Sequence, residues 1–196
     1  MIRSVASNVT MIEAALARSA LFLLMRQSIL LRNARRAIAL ACVAAVTVSS
    51  ALRAQEGLAV GSRPPATAPL ETLDGKAADL QQFIGKGAVL FEFWASWCPN
   101  CRALEPQIAS LAKQYAGRLQ VVTVAVSVNQ SIALVRKHLA RHPLPGVVLY
   151  DRRGFASEAY DAPATSYVVI VNAKGVVVYT GSGGGQKLAA AVAKAF

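Results

Sequence analysis

The stretch Phe91-Glu92-Phe93-Trp94-Ala95-Ser96-Trp97-Cys98-Pro99-Asn100-Cys101 changes character within a few residues. Ala88 to Trp94 is nearly continuous apolar sequence led in by Gly85-Lys86-Gly87, the pattern of a central strand covered on both faces. From Pro99 to Tyr115 the spacing turns helical: Leu104, Ile108, Leu111 and Ala112 fall on one stripe, and Gly117 offers a stop. Two cysteines therefore sit at a strand-to-helix junction.

That junction suits sulfur chemistry. A thiol exchanges with a disulfide only as thiolate, so it needs its charge stabilised and its sulfur accessible. At the start of a helix the unpaired N–H groups and the helix dipole favour an anion, and Pro99 at the first helical position wastes no donor. Cys98 is expected there with an exposed sulfur. Cys101 follows one turn later and reaches back to resolve a mixed disulfide formed at Cys98. Zinc would need four ligands at suitable spacing, and the remaining candidates, His138 and His142, lie far along the chain. Those two histidines, near a predicted helix end, are expected to serve the dipole and solvent.

Working outward, Pro69 to Leu73 and Lys76 to Leu80 flank Asp74-Gly75 and predict a β-hairpin. After the cysteine helix, Leu119 to Val128 is a β-branched run. Ser131 to Arg141 predicts a helix capped by Ser131 and ended by Pro143. Val147 to Tyr150, Tyr167 to Val171 and Val176 to Thr180 predict three further strands, the last two joined through Asn172 to Gly175, and Gln186 to Ala195 a closing helix. Alternating strands and helices ending in a hairpin and a helix imply an α/β domain, a mixed sheet with helices on both faces. The Gly-rich residues 181 to 185 lack the Lys-Ser/Thr ending of a phosphate loop and read as a flexible turn.

The central motif, with Pro106 five positions after Cys101 and the hairpin around Leu73-Asp74-Gly75, resembles the thioredoxin superfamily, and within it the TlpA/ResA-like periplasmic thiol-disulfide oxidoreductases. The resemblance covers residues 69 to 196. It implies a thioredoxin-like fold, a central mixed β-sheet flanked by helices with an added N-terminal β-hairpin, and Pro106 as a kinking proline. It implies further that Glu92 stands where thioredoxin keeps a buried acid that relays a proton to the resolving cysteine. A carboxyl in an apolar strand should hold its proton unusually tightly. Glu105, one turn after Cys101, is the competing carboxylate.

One departure concerns the cis-proline that the family sets opposite the cysteines. Counting from either side puts that site at Ser166, with Pro163 three residues too early. A cis bond before serine would cost about 3 kcal/mol. Either the next strand is longer and Pro163 serves, or Thr165-Ser166 forms the platform in trans. The substrate-binding set expected from the resemblance is thus Trp97, Pro99, Thr165, Ser166 and Pro163, with Cys98, Cys101 and Glu92 catalytic. Trp94 is expected in the core.

The resemblance also implies reduction of protein disulfides, electrons from a membrane thiol-transfer reductant, a monomer, and no cofactor or metal beyond the Cys98–Cys101 disulfide itself. Rival readings are a peroxiredoxin-like thiol peroxidase, which would need a Thr-x-x-Cys site where position 95 is Ala, and a metal-binding chaperone using the cysteine pair.

Residues 1 to 54 differ in composition from the rest. They hold seven Arg, no Lys and a single acid, Glu13. Arg32, Arg35 and Arg36 followed by apolar Ala37 to Val48 and a small-residue zone to Ala54 read as a signal peptide, with Met25 as an alternative start and residues 55 to 68 as a linker or extended lead-in. Export to the periplasm or an equivalent extracytoplasmic space follows, with a membrane anchor as the alternative, although the apolar run is short of the ~20 residues a bilayer requires. Cys42 falls in this leader, which leaves Cys98 and Cys101 alone in the domain. The positive charge outside the leader is spread without a basic run, which argues against nucleic-acid binding.

Overall fold

The computed structural model describes residues 57–196. The signal-peptide reading and Cys42 lie outside the described residues. The elements are β1 Pro69–Thr72, β2 Ala77–Asp79, a 3-10 turn Leu80–Phe83, β3 Ala88–Trp94, α1 Pro99–Gln114, β4 Leu119–Val126, α2 Ile132–Leu139, β5 Val147–Asp151, α3 Phe155–Ala159, β6 Tyr167–Val171, β7 Val177–Gly181 and α4 Leu188–Ala193.

The strands form one sheet in the order β2-β1-β5-β4-β3-β6-β7. β3, β4 and β5 are parallel neighbours, whereas β6 and β7 continue antiparallel from β3, and the β1-β2 hairpin pairs antiparallel with β5. The expected mixed sheet is present. β3 is an interior strand between β4 and β6, and all seven of its residues are buried, which is why its sequence shows no polar alternation apart from Glu92.

The pleat divides β3 between two cores. Val89, Phe91 and Phe93 pack with Val122, Val124, Tyr160 and Tyr167 on one face. Ala88 and Leu90 pack on the other with Leu104 and Ile108 of α1 and Leu188 and Val192 of α4. Beyond them, Trp94 meets Cys98, Cys101, Ala125, Tyr150 and Val135 of α2. Glu92 falls on this second face, between Leu90 and Trp94.

The lead-in to β1 is fastened to the sheet. Gly61 N–H donates to Val177 O at 2.8 Å and Val177 N–H to Ser62 O at 2.9 Å, and Leu58 N–H donates to the Tyr167 hydroxyl at 2.8 Å. Gly57, at φ +93°, lies so close to Tyr167 that a Cβ would fall 2.3 Å from its Oη.

α3 was not foreseen from sequence. The buried carboxylate of Asp151, at the end of β5, accepts from Ser157 N–H at 2.8 Å and Ala156 N–H at 3.3 Å and so caps its first turn. Among the described residues no helix is long and apolar enough to cross a membrane.

Candidate active site

Cys98 is the N-cap of α1. Its backbone is extended (φ −79°, ψ 113°), Pro99 occupies the first turn, and Sγ accepts from Cys101 N–H at 3.1 Å. Cys98 and Cys101 are joined as a disulfide, with Cα atoms 5.3 Å apart. The sulfur of Cys98 thus meets the positive end of a 16-residue helix as expected. The expected exposure is not found: in the disulfide form Cys98 is 2% exposed and Cys101 is fully buried. Packing of Trp94 and Ala95 against the pair covers sulfur that the motif alone would leave open.

Glu92 is 2% exposed, and its Oε1 has no hydrogen-bond partner. Burial, and secondarily the nearby carboxylate of Glu105, raise its pKa to about 8. The carboxyl therefore remains protonated through most of the neutral range. Glu105, at the position after Leu104 on α1, also buries an unpartnered Oε1.

Trp97 is exposed, at 43%, as are Pro99 and Asn100. Its indole N–H donates to Val128 O at 2.9 Å, which fixes the ring as a wall between two recesses. On one side lies a mainly apolar cavity of about 360 Å³, formed with Phe93, Val126, Ala162, Ala164 and Thr165. On the other lies a recess of about 300 Å³ rimmed by Lys137, His138, Arg141 and His142.

Ser166 directly precedes β6 and takes the position that counting assigned to the cis-proline. No peptide among the described residues is cis, and Ser166 instead adopts φ +66°. Its N–H donates to Phe93 O at 2.7 Å, Gly183 N–H donates to its Oγ at 3.0 Å, and Gln186 Nε2 donates to its carbonyl at 2.9 Å. These bonds offset the cost of a backbone conformation that L-residues seldom occupy. Pro163 stands on the exposed loop three residues earlier. Thr165 thus lines the apolar cavity together with Trp97, Ser166 follows it in trans, and Pro163 is exposed to solvent.

Three supporting residues escaped the sequence reading. Gln186 bonds Ser166, Gly183 and Tyr179, and its carbonyl accepts from Gln107 Nε2 at 3.0 Å, so the β7-α4 loop is tied to α1. Gln130, 6% exposed, accepts from Ser96 N–H at 3.0 Å and donates to Val126 O at 2.7 Å, which holds the loop before Cys98. Only its amide chemistry and its place after a strand would have pointed to it.

His138 departs from expectation as well. His142 is exposed as predicted, but His138 is half-buried, with its ring centroid 5.2 Å from that of Trp94 and Nε2 unpartnered. Burial first, then His142, lower its pKa, against the opposing pull of Glu105.

A family model described as Redoxin matches residues 59–195. The thiol-disulfide oxidoreductase ResA of Bacillus subtilis (strain 168) is 30% identical over 142 residues, covering 72% of this chain and 78% of that protein. The thioredoxin-like protein YneN of the same organism is 36% identical over 109 residues, and the match spans 55% of this chain and 63% of YneN, short of two thirds of that relative. Among solved structures, a protein of Chlorobium tepidum assigned as the thiol:disulfide interchange protein DsbE superposes with TM-score 0.62 at 25% identity, covering 70% of this chain and 98% of that one. With the closed cysteine pair at the head of α1, these likenesses agree. The chain belongs to the redoxin family of the thioredoxin superfamily, on its ResA/TlpA-like thiol-disulfide oxidoreductase branch.

Proposed function

We propose that this chain is an extracytoplasmic reductase of protein disulfides that cycles between the Cys98–Cys101 disulfide and the dithiol. The observation that carries the reading is the placement of Cys98 as N-cap of α1 with Cys101 one turn on, the two joined and no other cysteine among the described residues. In the dithiol state the helix N-terminus favours the Cys98 thiolate, which attacks a substrate sulfur. Cys101 then resolves the mixed disulfide after giving its proton to the Glu92 carboxylate. No dissociable cofactor takes part.

The substrate chain lies against Trp97 and Pro99, with the Thr165-Ser166 backbone opposite. The apolar cavity beside Trp97 and Thr165 offers room for a side chain next to the scissile disulfide. A membrane thiol carrier returns electrons to the monomer, and the Arg-rich apolar leader supports delivery outside the cytoplasm.

The test combines two measurements. Cys101→Ala is expected to retain substrates as mixed disulfides on Cys98, released by reductant and absent from Cys98→Ala. Equilibration of the pair with glutathione is expected to give a reducing potential. A strongly oxidising potential would reverse the assigned direction, and failure of Cys101→Ala to trap any thiol partner would remove the role of Cys98.

A further inference from the structure

Among the described residues, four buried side-chain atoms without a hydrogen-bond partner lie on one side of the sheet: Glu92 Oε1 and Trp94 Nε1 on β3, Glu105 Oε1 on α1 and His138 Nε2 on α2. Strand alternation puts Glu92 and Trp94 on the face that α1 and α2 cover. The carboxylate of Glu105 acts on both Glu92 and His138 through its charge, so it stands electrostatically between them. His138 packs on Trp94, and its other neighbour, His142, has its ring centroid 5.0 Å away beside the basic recess that opens to solvent.

Each buried polar atom left without a partner costs about 1–3 kcal/mol, so four together call for an explanation. No three His, Cys, Asp or Glu side chains among the described residues converge closely enough to hold a metal ion. Buried polar atoms that lack partners on one covered face of a sheet are the setting that ordered internal water occupies.

We propose that Glu105 and His138, linked by water, are the route by which Glu92 exchanges its proton with solvent, His138 being the outlet. The proposal rests on the reading of Glu92 given above. Glu92 is protonated at neutral pH and must lose that proton before it can take one from Cys101. The proton passes to the Glu105 carboxylate, on to His138 Nε2, and out past His142. Arg102 and Arg141 add positive charge near His138 and, with burial and His142, outweigh Glu105, so the imidazole passes the proton on instead of storing it.

The chemistry then closes. The Cys98 thiolate displaces one substrate sulfur as thiolate and forms the mixed disulfide. Cys101 gives its proton to Glu92 and attacks Cys98 Sγ. The Cys98–Cys101 bond forms, the bond from Cys98 to substrate breaks, and the second substrate sulfur leaves as thiolate. Two electrons have moved to the substrate, whose thiolates take protons from water, and the proton on Glu92 leaves by the same route.

Mixing the reduced full chain with dithiobis(nitrobenzoate) resolves the two steps, since attack by Cys98 releases one coloured thiolate and resolution by Cys101 the second. Glu105→Gln and His138→Gln are expected to slow the second release about tenfold at neutral pH and to leave the first unchanged. Added imidazole is expected to restore the second release in His138→Gly, which a purely structural role for His138 would not produce. Should imidazole fail to restore it, or should Glu105→Gln resolve at the normal rate while Glu92→Gln is slow, the route is wrong and the role of Glu92 stands. A normal second release in Glu92→Gln would instead remove the reading on which the route depends. Glu105→Gln, nearly isosteric, supplies the comparison if the His138 variants fold poorly.

Discussion

Glu92 binds its proton more tightly in the folded chain than when unfolded, where its pKa is near 4.5 against about 8 in the structure. Between these values the folded state holds a proton that the unfolded state has lost, so stability falls as pH rises. The favourable contribution is fully present below about pH 4.5 and is gone once pH has passed about 8. Its size is on the order of 5 kcal/mol, because each tenfold change in proton affinity corresponds to about 1.4 kcal/mol. Glu92→Gln keeps the shape and removes the titration. Thermal unfolding followed from pH 5 to pH 9 should show the parent losing stability relative to Glu92→Gln, and parallel curves would mean that the carboxyl is not held protonated. The glutamate itself was plain in the apolar run of β3. The orphaned state of its oxygen was not, because that depends on what α1 and α2 bring to the same space.

At the scale of elements, the junction before β6 shows how a position can be found by counting and its conformation still be unforeseen. Ser166 directly precedes β6, but its φ of +66° and its trans bond are set by Phe93 on β3 and by Gly183 and Gln186 from the far end of the β6-β7 hairpin. Proline there would need φ near −65° and would delete the N–H that donates to Phe93 O, so Ser166→Pro is expected to destabilise by about 3 kcal/mol or more. Ser166→Gly accepts the backbone at lower cost, about 1 kcal/mol, mainly through loss of the bond from Gly183. Chemical denaturation midpoints for the two variants give the comparison. Equal midpoints would show that a proline platform is accessible to this loop. α3 is a related case, since its five residues have little helical signal and depend on the carboxylate of Asp151 at the end of the preceding strand.

For the whole molecule, the boundary of the folded unit lies earlier than the first strand. Ala68 is fully buried, Leu58 packs against the large core, and Gly61 and Ser62 bond Val177 at the start of β7. A chain beginning at Pro69 gives up this burial and leaves polar groups of Val177 and Tyr167 without their partners. It is expected to lose about 2–4 kcal/mol against one beginning near residue 55. Urea unfolding of the two chains measures this. Equal stability would show that the lead-in is a passive tether.

Periodicity and punctuation in the sequence determined the order of the strands, the burial of β3 on both faces and the position of the cysteine pair at a helix start. Each of these depends on neighbours within a turn or a strand: an apolar run, a proline at the first helical position, a glycine at the stop. Tertiary structure alone decided that Cys98 is covered in the disulfide form, that Ser166 is fixed in a left-handed trans conformation, and that Glu92, Glu105 and His138 each keep a buried polar atom without a partner. Those features arise where β3, α1, α2 and the β7-α4 loop meet. Burial, and the electrostatics that follow from it, are set by residues tens of positions apart in the chain, which no local pattern records.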